Sequence, residues 1–459
     1  MSILEVMSTI AFPKLILMPK FQANQPQSVS ETRLRALALY LRGNAYLDAG
    51  NFNNARMDLS KSLDLHGEFA PAHLAHGVAC YQQRWYQPAI MHFREAIARD
   101  PALKANCAKE FALALAFEGK RLYDTKKDYG ESVSHLLEAL ALDPELPGEH
   151  RNRLSDALVY RGIAFYNATQ LAEAFADYSS AIELRSDAYW AIRNRAMISR
   201  RWKRFDEALK DCDEAIRVNP TYAVAYYERA WVYIDQRDYQ TGVTEMTEAI
   251  RFKQDAEYYH DRGFCYRRMF RFKEAIADFD EALKLDPKRA WSFYNRGYSY
   301  RKMGDYKQAL ADFEQAVQLN PKEGEFVLER GRTLLNLHKI KRGIADLESA
   351  SLLGTESSYV QNLLAWIWAT WPHKRVLNAP RALEAARKAC EMTSYKDADY
   401  VDTLAAAHAQ VGEFAEAVKW QTLATEVAPA SSKKSFSDRL ESYQVGKPWR
   451  DNGQVEARL

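Results

Sequence analysis

Three histidines, three aspartates and a row of arginines are the residues whose types and spacing could do chemistry. His73 and His76 lie three apart in one helical stretch, and His92 falls on the next. Imidazoles so placed suggest a metal, but zinc needs three or four converging ligands, and no nearby cysteine or carboxylate completes the set. They read instead as ordinary histidines on helix surfaces. Asp397, Asp399 and Asp402 crowd the start of a late helical stretch, where carboxylates cap free backbone N–H groups. The chain has no Gly-rich phosphate loop, HExxH, GxSxG elbow or CxxC. Cys80, Cys107, Cys212, Cys265 and Cys390 are odd in number, far apart and at core-like helical positions, as expected of reduced thiols in the cytoplasm. These features predict no enzyme, no catalytic residue, no metal and no cofactor.

The elements that position the arginines repeat every 34 residues. Gly162, Ala196 and Ala230 keep that interval, as do Gly263, Gly297 and Gly331. Ala174, Ala208 and Gly242, then Ala275, Ala309 and Gly343, keep it at a second small position. A fixed period of this length means a solenoid, in which one unit alone cannot bury its apolar face. In residues 256–289, Gly263, Tyr266, Phe272, Ala275, Phe279, Ala282 and Pro287 occupy positions 8, 11, 17, 20, 24, 27 and 32. Residues 290–323 repeat the set with Gly297, Tyr300, Tyr306, Ala309, Phe313, Ala316 and Pro321. The spacing of three and four is helical, with a turn near position 15. Each unit therefore reads as two antiparallel helices, A and B. Small residues at 8 and 20 let them approach, and aromatics at 17 and 24 fill the space beside them.

This pattern resembles the tetratricopeptide repeat (TPR). Eleven units start near residues 36, 70, 113, 155, 189, 223, 256, 290, 324, 358 and 398. The third is weak, with Ser132 and Leu136 at its usual Ala and aromatic positions and an extra stretch at 104–112. The tenth carries the insertion WPHKRVLNAP. The last two units, with the following DRLESYQVGKPWR, look like a C-terminal module of bacterial, especially planctomycete, TPR proteins. The resemblance implies an all-α, right-handed superhelical solenoid of antiparallel helix pairs and a bacterial source. The expected domains are a poorly ordered leader at 1–30, repeats one to nine at 31–355, repeats ten and eleven with the insertion at 356–430, and a capping helix with a loose tail at 431–459.

Position 7 is arginine in six successive units, and position 23 on helix B is acidic. Stacking of one unit's helix B on the next unit's helix A predicts inter-unit pairs: Asp177–Arg195, Asp211–Arg229, Glu245–Arg262, Asp278–Arg296 and Asp312–Arg330. Arginine suits this role because its planar fork engages a carboxylate twice.

In proteins of the resembled family, positions 2, 5, 9 and 12 of helix A line a concave groove. Here they supply Trp190, Arg193 and Arg200, then Tyr227 and Trp231, His260, Phe264 and Arg267, Trp291, Tyr294, Tyr298 and Arg301, and Arg332. Aromatics and arginines are the residues enriched at binding hot spots. The predicted function is a scaffold that binds a partner's peptide or helix. The alternative is an architectural solenoid that self-assembles without a peptide ligand. Family members that clamp chaperone C-terminal carboxylates use Lys at position 5 with Asn at 9, and the nearest pair here is Tyr40 with Asn44. A formal net charge of +2, from 63 basic and 61 acidic residues, argues against nucleic acid. No stretch is long and apolar enough to span a membrane.

Overall fold

The computed structural model describes residues 31–354, 358–430 and 432–451. The expected leader at 1–30 and the last residues of the tail lie outside them. The chain divides into two compact bodies at Pro220/Thr221.

The N-terminal body holds α1 (Glu31–Asp48), α2 (Phe52–Leu65), α3 (Ala70–Gln82), α4 (Tyr86–Arg99), α5 (Lys104–Arg121), α6 (Tyr129–Leu142), α7 (Gly148–Asn167), α8 (Leu171–Leu184), α9 (Tyr189–Arg201) and α10 (Phe205–Val218). The C-terminal body holds α11 (Ala223–Asp235), α12 (Tyr239–Phe252), α13 (Ala256–Arg268), α14 (Phe272–Leu285), α15 (Ala290–Lys302), α16 (Tyr306–Leu319), α17 (Gly324–Asn336), α18 (Ile340–Leu352), α19 (Ser358–Thr370), α20 (Ala379–Met392), α21 (Ala398–Gln410), α22 (Phe414–Val427) and α23 (Lys433–Gln444). Up to α22, consecutive helices pack as antiparallel pairs, one pair per repeat. The described residues contain no strand. The extra stretch at 104–112 forms the first half of α5 rather than a loop. In that weak third repeat the Ser132 hydroxyl donates to the Gly119 carbonyl at 2.8 Å, so serine fills an alanine's place without stranding its oxygen.

Every helix pair but α19–α20 turns through one left-handed residue at position 15. Glycine occupies it at Gly50, Gly304 and Gly412, but Arg84, Thr169, Lys203, Arg237, Phe270 and His338 hold the same conformation with a side chain. A β-branched residue there is strained by the clash of Cβ with its carbonyl. Thr169 has φ of 63° and is exposed. Replacing it by glycine is expected to raise stability by about 1 kcal/mol, a shift readable in the urea midpoint.

Trp449 and Asp451, in the stretch expected to be a loose tail, are tied down. The Trp366 indole donates to Asp451 Oδ2 at 2.8 Å, the Asp451 amide donates to the Thr370 carbonyl at 2.9 Å, and Trp449 packs on the core of the last repeats. All five cysteines are buried, and none is disulfide-bonded.

Candidate functional site: the shared face of the A helices

The arginine ladder forms, but with different partners. Nε and Nη2 of Arg161 grip Asp177 at 2.8 and 2.7 Å, and Arg195 grips Asp211 at the same distances. Arg229 reaches Glu245 at 2.9 and 2.7 Å, Arg262 reaches Asp278 at 2.8 and 2.7 Å, and Arg296 reaches Asp312 at 2.9 and 2.6 Å. Arg330 pairs with Asp346 at 2.7 and 2.9 Å. All of these pairs close inside one repeat, and the predicted inter-repeat pairings do not form. The reason lies in hairpin register. Two antiparallel helices bring together residues equidistant from their turn, and positions 7 and 23 both lie eight residues from position 15. The hydrogen-bonded carboxylate pushes the guanidinium pKa of Arg161, Arg195 and Arg330 up. What reaches the preceding helix B is the remaining nitrogen. Arg296 Nη1 donates to Asp280 at 2.6 Å, and Arg262 Nη1 donates to Thr247 Oγ1 at 3.1 Å. Both partners sit at position 25, two residues beyond the predicted one.

The inter-repeat bonds run instead between successive A helices. In the C-terminal body the Tyr227 hydroxyl and the Trp231 indole both donate to Asp261 Oδ2, at 2.8 and 3.2 Å. Nδ1 of His260 lies 2.8 Å from Ser292 Oγ. The Tyr294 hydroxyl donates to Glu325 at 2.5 Å, and its ring stacks on Phe326 at 5.3 Å. Arg301 Nε lies 3.0 Å from Glu329 Oε2, and Arg332 Nη1 donates to Glu329 Oε1 at 2.6 Å. Of the predicted groove residues, His260, Tyr294 and Arg301 are therefore buried in contacts with the next repeat, while Tyr227, Trp231, Phe264, Arg267, Tyr298 and Arg332 are half-buried. Trp291 is open at 43% exposure. In the N-terminal body Arg185 covers the Trp190 ring at 4.4 Å, Arg193 donates to Asn194 at 2.9 Å, and Arg200 sits half-buried on α9.

Sequence reasoning missed position 6. Asn194, Glu228, Asp261, Asn295 and Glu329 occupy it in five successive repeats, and all are buried. The signal was an unbroken run of polar residues just before the position-7 arginine. Their identities vary between amide and acid, so they do not stand out as a motif.

Burial pushes the Asp261 carboxyl from its ordinary 3.8 up to about 6, against the hydrogen bond from Tyr227. Between those two values the folded chain holds a proton that the unfolded chain has lost. Stability must therefore fall as pH rises through that window and stay low above it. Asp261→Asn removes the charge while its amide oxygen can still accept both donors. The variant is expected to melt higher than wild type at pH 7 and to lose the slope between pH 4 and 6, as thermal melts across that range would show.

The histidines are not on the surface. His73 and His76 are buried, Nδ1 of His73 lies 3.1 Å from Nδ1 of His92, and Nε2 of His73 meets the Gly67 carbonyl at 2.9 Å. Burial holds His76 down to about 4 and His92 to about 3, so all carry neutral rings at pH 7. Among the described residues no group of three or more His, Cys, Asp or Glu could hold a metal ion. The aspartate trio divides. Asp397 caps α21 by accepting from the amides of Asp399 and Tyr400, whereas Asp402 turns inward and pairs with Arg439 at 2.6 Å. No helix among the described residues is long and apolar enough to cross a membrane.

Stacked helix pairs with self-closing Arg–carboxylate clamps and bonded A faces define a helical-repeat protein. Residues 40–104, 256–289 and 290–323 match models of the tetratricopeptide repeat. Those residues are tetratricopeptide repeats. The chain is similar to the TPR repeat-containing thioredoxin TDX of Arabidopsis thaliana, at 33% identity over 23% of this chain and 27% of that protein. It is also similar to the Hsp70-Hsp90 organising protein of Plasmodium falciparum, at 33% identity over 19% of this chain and 17% of the relative. The chain thus spans less than a third of the length of these relatives. A solved TPR protein from Parabacteroides merdae aligns with 55% of this chain and 96% of its own, at 19% identity and a TM-score of 0.40.

Proposed function

We propose that the protein is a non-enzymatic scaffold that holds a peptide or helix of a partner protein in the groove lined by its A helices. The observation that carries this reading is the chemistry of that face in the C-terminal body. The half-buried rings of Phe264 and Tyr298 stand beside Arg267, the open ring of Trp291 lies on the next A helix, and aromatic and arginine anchors of this kind dominate binding energy in protein interfaces. One relative with matching repeats is named an Hsp70-Hsp90 organising protein, but the Lys and Asn pair expected for chaperone tails is missing here. The partner is therefore a different protein segment.

The test is affinity capture with wild type, with Arg267→Glu, and with Arg217→Glu, an exposed residue on helix B of another repeat (α10), as a control. Arg301 is unsuitable for reversal, because a carboxylate there would face Glu329. A protein retained by wild type and the control but lost from Arg267→Glu supports the groove. Equal capture by all three, with a change in sedimentation alone, would favour self-assembly instead.

A further inference from the structure

Resting on that reading of the groove, we propose that Arg267, with Arg301 beside it, is the anchor for a carboxylate side chain of an acidic peptide. Three cations surround one phenol ring. Arg267 lies 4.8 Å from the Tyr298 ring centroid, Arg301 5.4 Å and Lys302 5.6 Å. Arg267 also stacks on Phe264 at 5.2 Å. These rings hold the guanidinium by its faces and leave its edge to a ligand.

The edges are short of acceptors, although Arg301 Nε faces Glu329 Oε2 at 3.0 Å. Nε of Arg267, Nε and Nη2 of Arg301 and Nε of Arg332 are all buried without a hydrogen-bond partner among the described residues. Arg301 is only 7% exposed. Buried donors in native proteins are nearly always satisfied, and the three of these that face no carboxylate call for an oxyanion. The nearby acids do not supply it. Glu329 serves Arg301 and Arg332 together, and its Oε2, 3.0 Å from Arg301 Nε, makes no hydrogen bond. Glu325 accepts from Tyr294. No ion pair closes on Arg267 among the described residues, and burial lowers its pKa by more than nearby Glu325 raises it.

A carboxylate fits better than an isolated anion because the surroundings are apolar as well as cationic. Phe264, Trp291 and Tyr298 offer contact to the residues flanking the acid. The planar fork of arginine matches two carboxylate oxygens.

The test is a random-peptide display selected on wild type, Arg267→Met and Arg268→Met. Arg268 is an exposed neighbour on the same helix. Wild type and Arg268→Met should select peptides with an acid at one fixed position beside apolar residues. Arg267→Met should keep the apolar preference and lose the acid. On the wild-type protein alone, changing that acid to its amide in a selected peptide should weaken binding about ten- to hundredfold. Selection of acid-free peptides by wild type, or an amide peptide that binds equally well, overturns the anchor and leaves the groove standing. Selection of no peptide at all overturns the groove and the anchor together.

Discussion

Asp402→Ala is expected to cost the C-terminal repeats about 3–5 kcal/mol, because it strands a buried guanidinium. Asp402 is fully buried on α21. Its Oδ1 accepts from Arg439 Nε at 2.6 Å and from Gln421 Nε2 at 2.7 Å. Arg439 comes from α23, the last helix among the described residues, and its guanidinium lies over Phe436 at 4.8 Å and Trp366 at 5.6 Å. Alanine would leave that cation among aromatic rings with neither counter-charge nor water. The loss should stay local, since solenoid stability sums over neighbouring repeats. Indole fluorescence, with Trp366 and Trp449 in this cluster, should therefore report a transition at lower urea than the far-UV helix signal. Coincident transitions in the variant, or a loss under about 1 kcal/mol, would show that the pair is dispensable.

Phe279→Ala is the second large loss, about 3–5 kcal/mol for an aromatic removed from a closed core. The ring is fully buried between the helices of the seventh repeat, beside His260 at 5.5 Å. It fits because Gly263 opposite has no Cβ. An alanine there would place one 2.9 Å from Phe279 Cε1, closer than carbon atoms sit. Gly263→Ala alone should destabilise, although alanine is the better helix former by about 1 kcal/mol. With the ring gone the same methyl enters the cavity. In the Phe279→Ala background, Gly263→Ala should become stabilising. A double-mutant cycle in urea should give a coupling of about 1–3 kcal/mol. Additive losses would mean that the two positions do not share that space.

The helix pairs, their turns and their close contacts were legible because the period is strict and every repeat votes for the same geometry. The partner of each position-7 arginine was not read correctly, although the turn at position 15 already fixes which residues of a hairpin meet. The stack offers two B helices to every A helix, and the period alone does not choose between them. The role of Asp261 and Glu329 was hidden for another reason. Position 6 changes residue from one repeat to the next, because each side chain answers a particular neighbour: Tyr227 and Trp231 in one case, Arg301 in the other. The histidines were misplaced because His76 and His92 meet across α3 and α4, their ring centroids 4.0 Å apart, where no periodic residue marks a core. The tail escaped because Asp451 acts 85 residues from Trp366, outside any repeat.

The clamps at positions 7 and 23 join an arginine to a carboxylate wherever they occur, and both halves belong to one repeat. Cutting out or copying a whole repeat carries the two charges together, so this part of the design survives genetic shuffling. The A face behaves otherwise. Tyr227 and Trp231 need an acid in the next repeat, His260 needs a hydroxyl, and Tyr294 needs Glu325. A transposed repeat would keep its own fold and meet the wrong neighbour. The order of the repeats is thus written on the A face, as an address that each unit reads from the one that follows it.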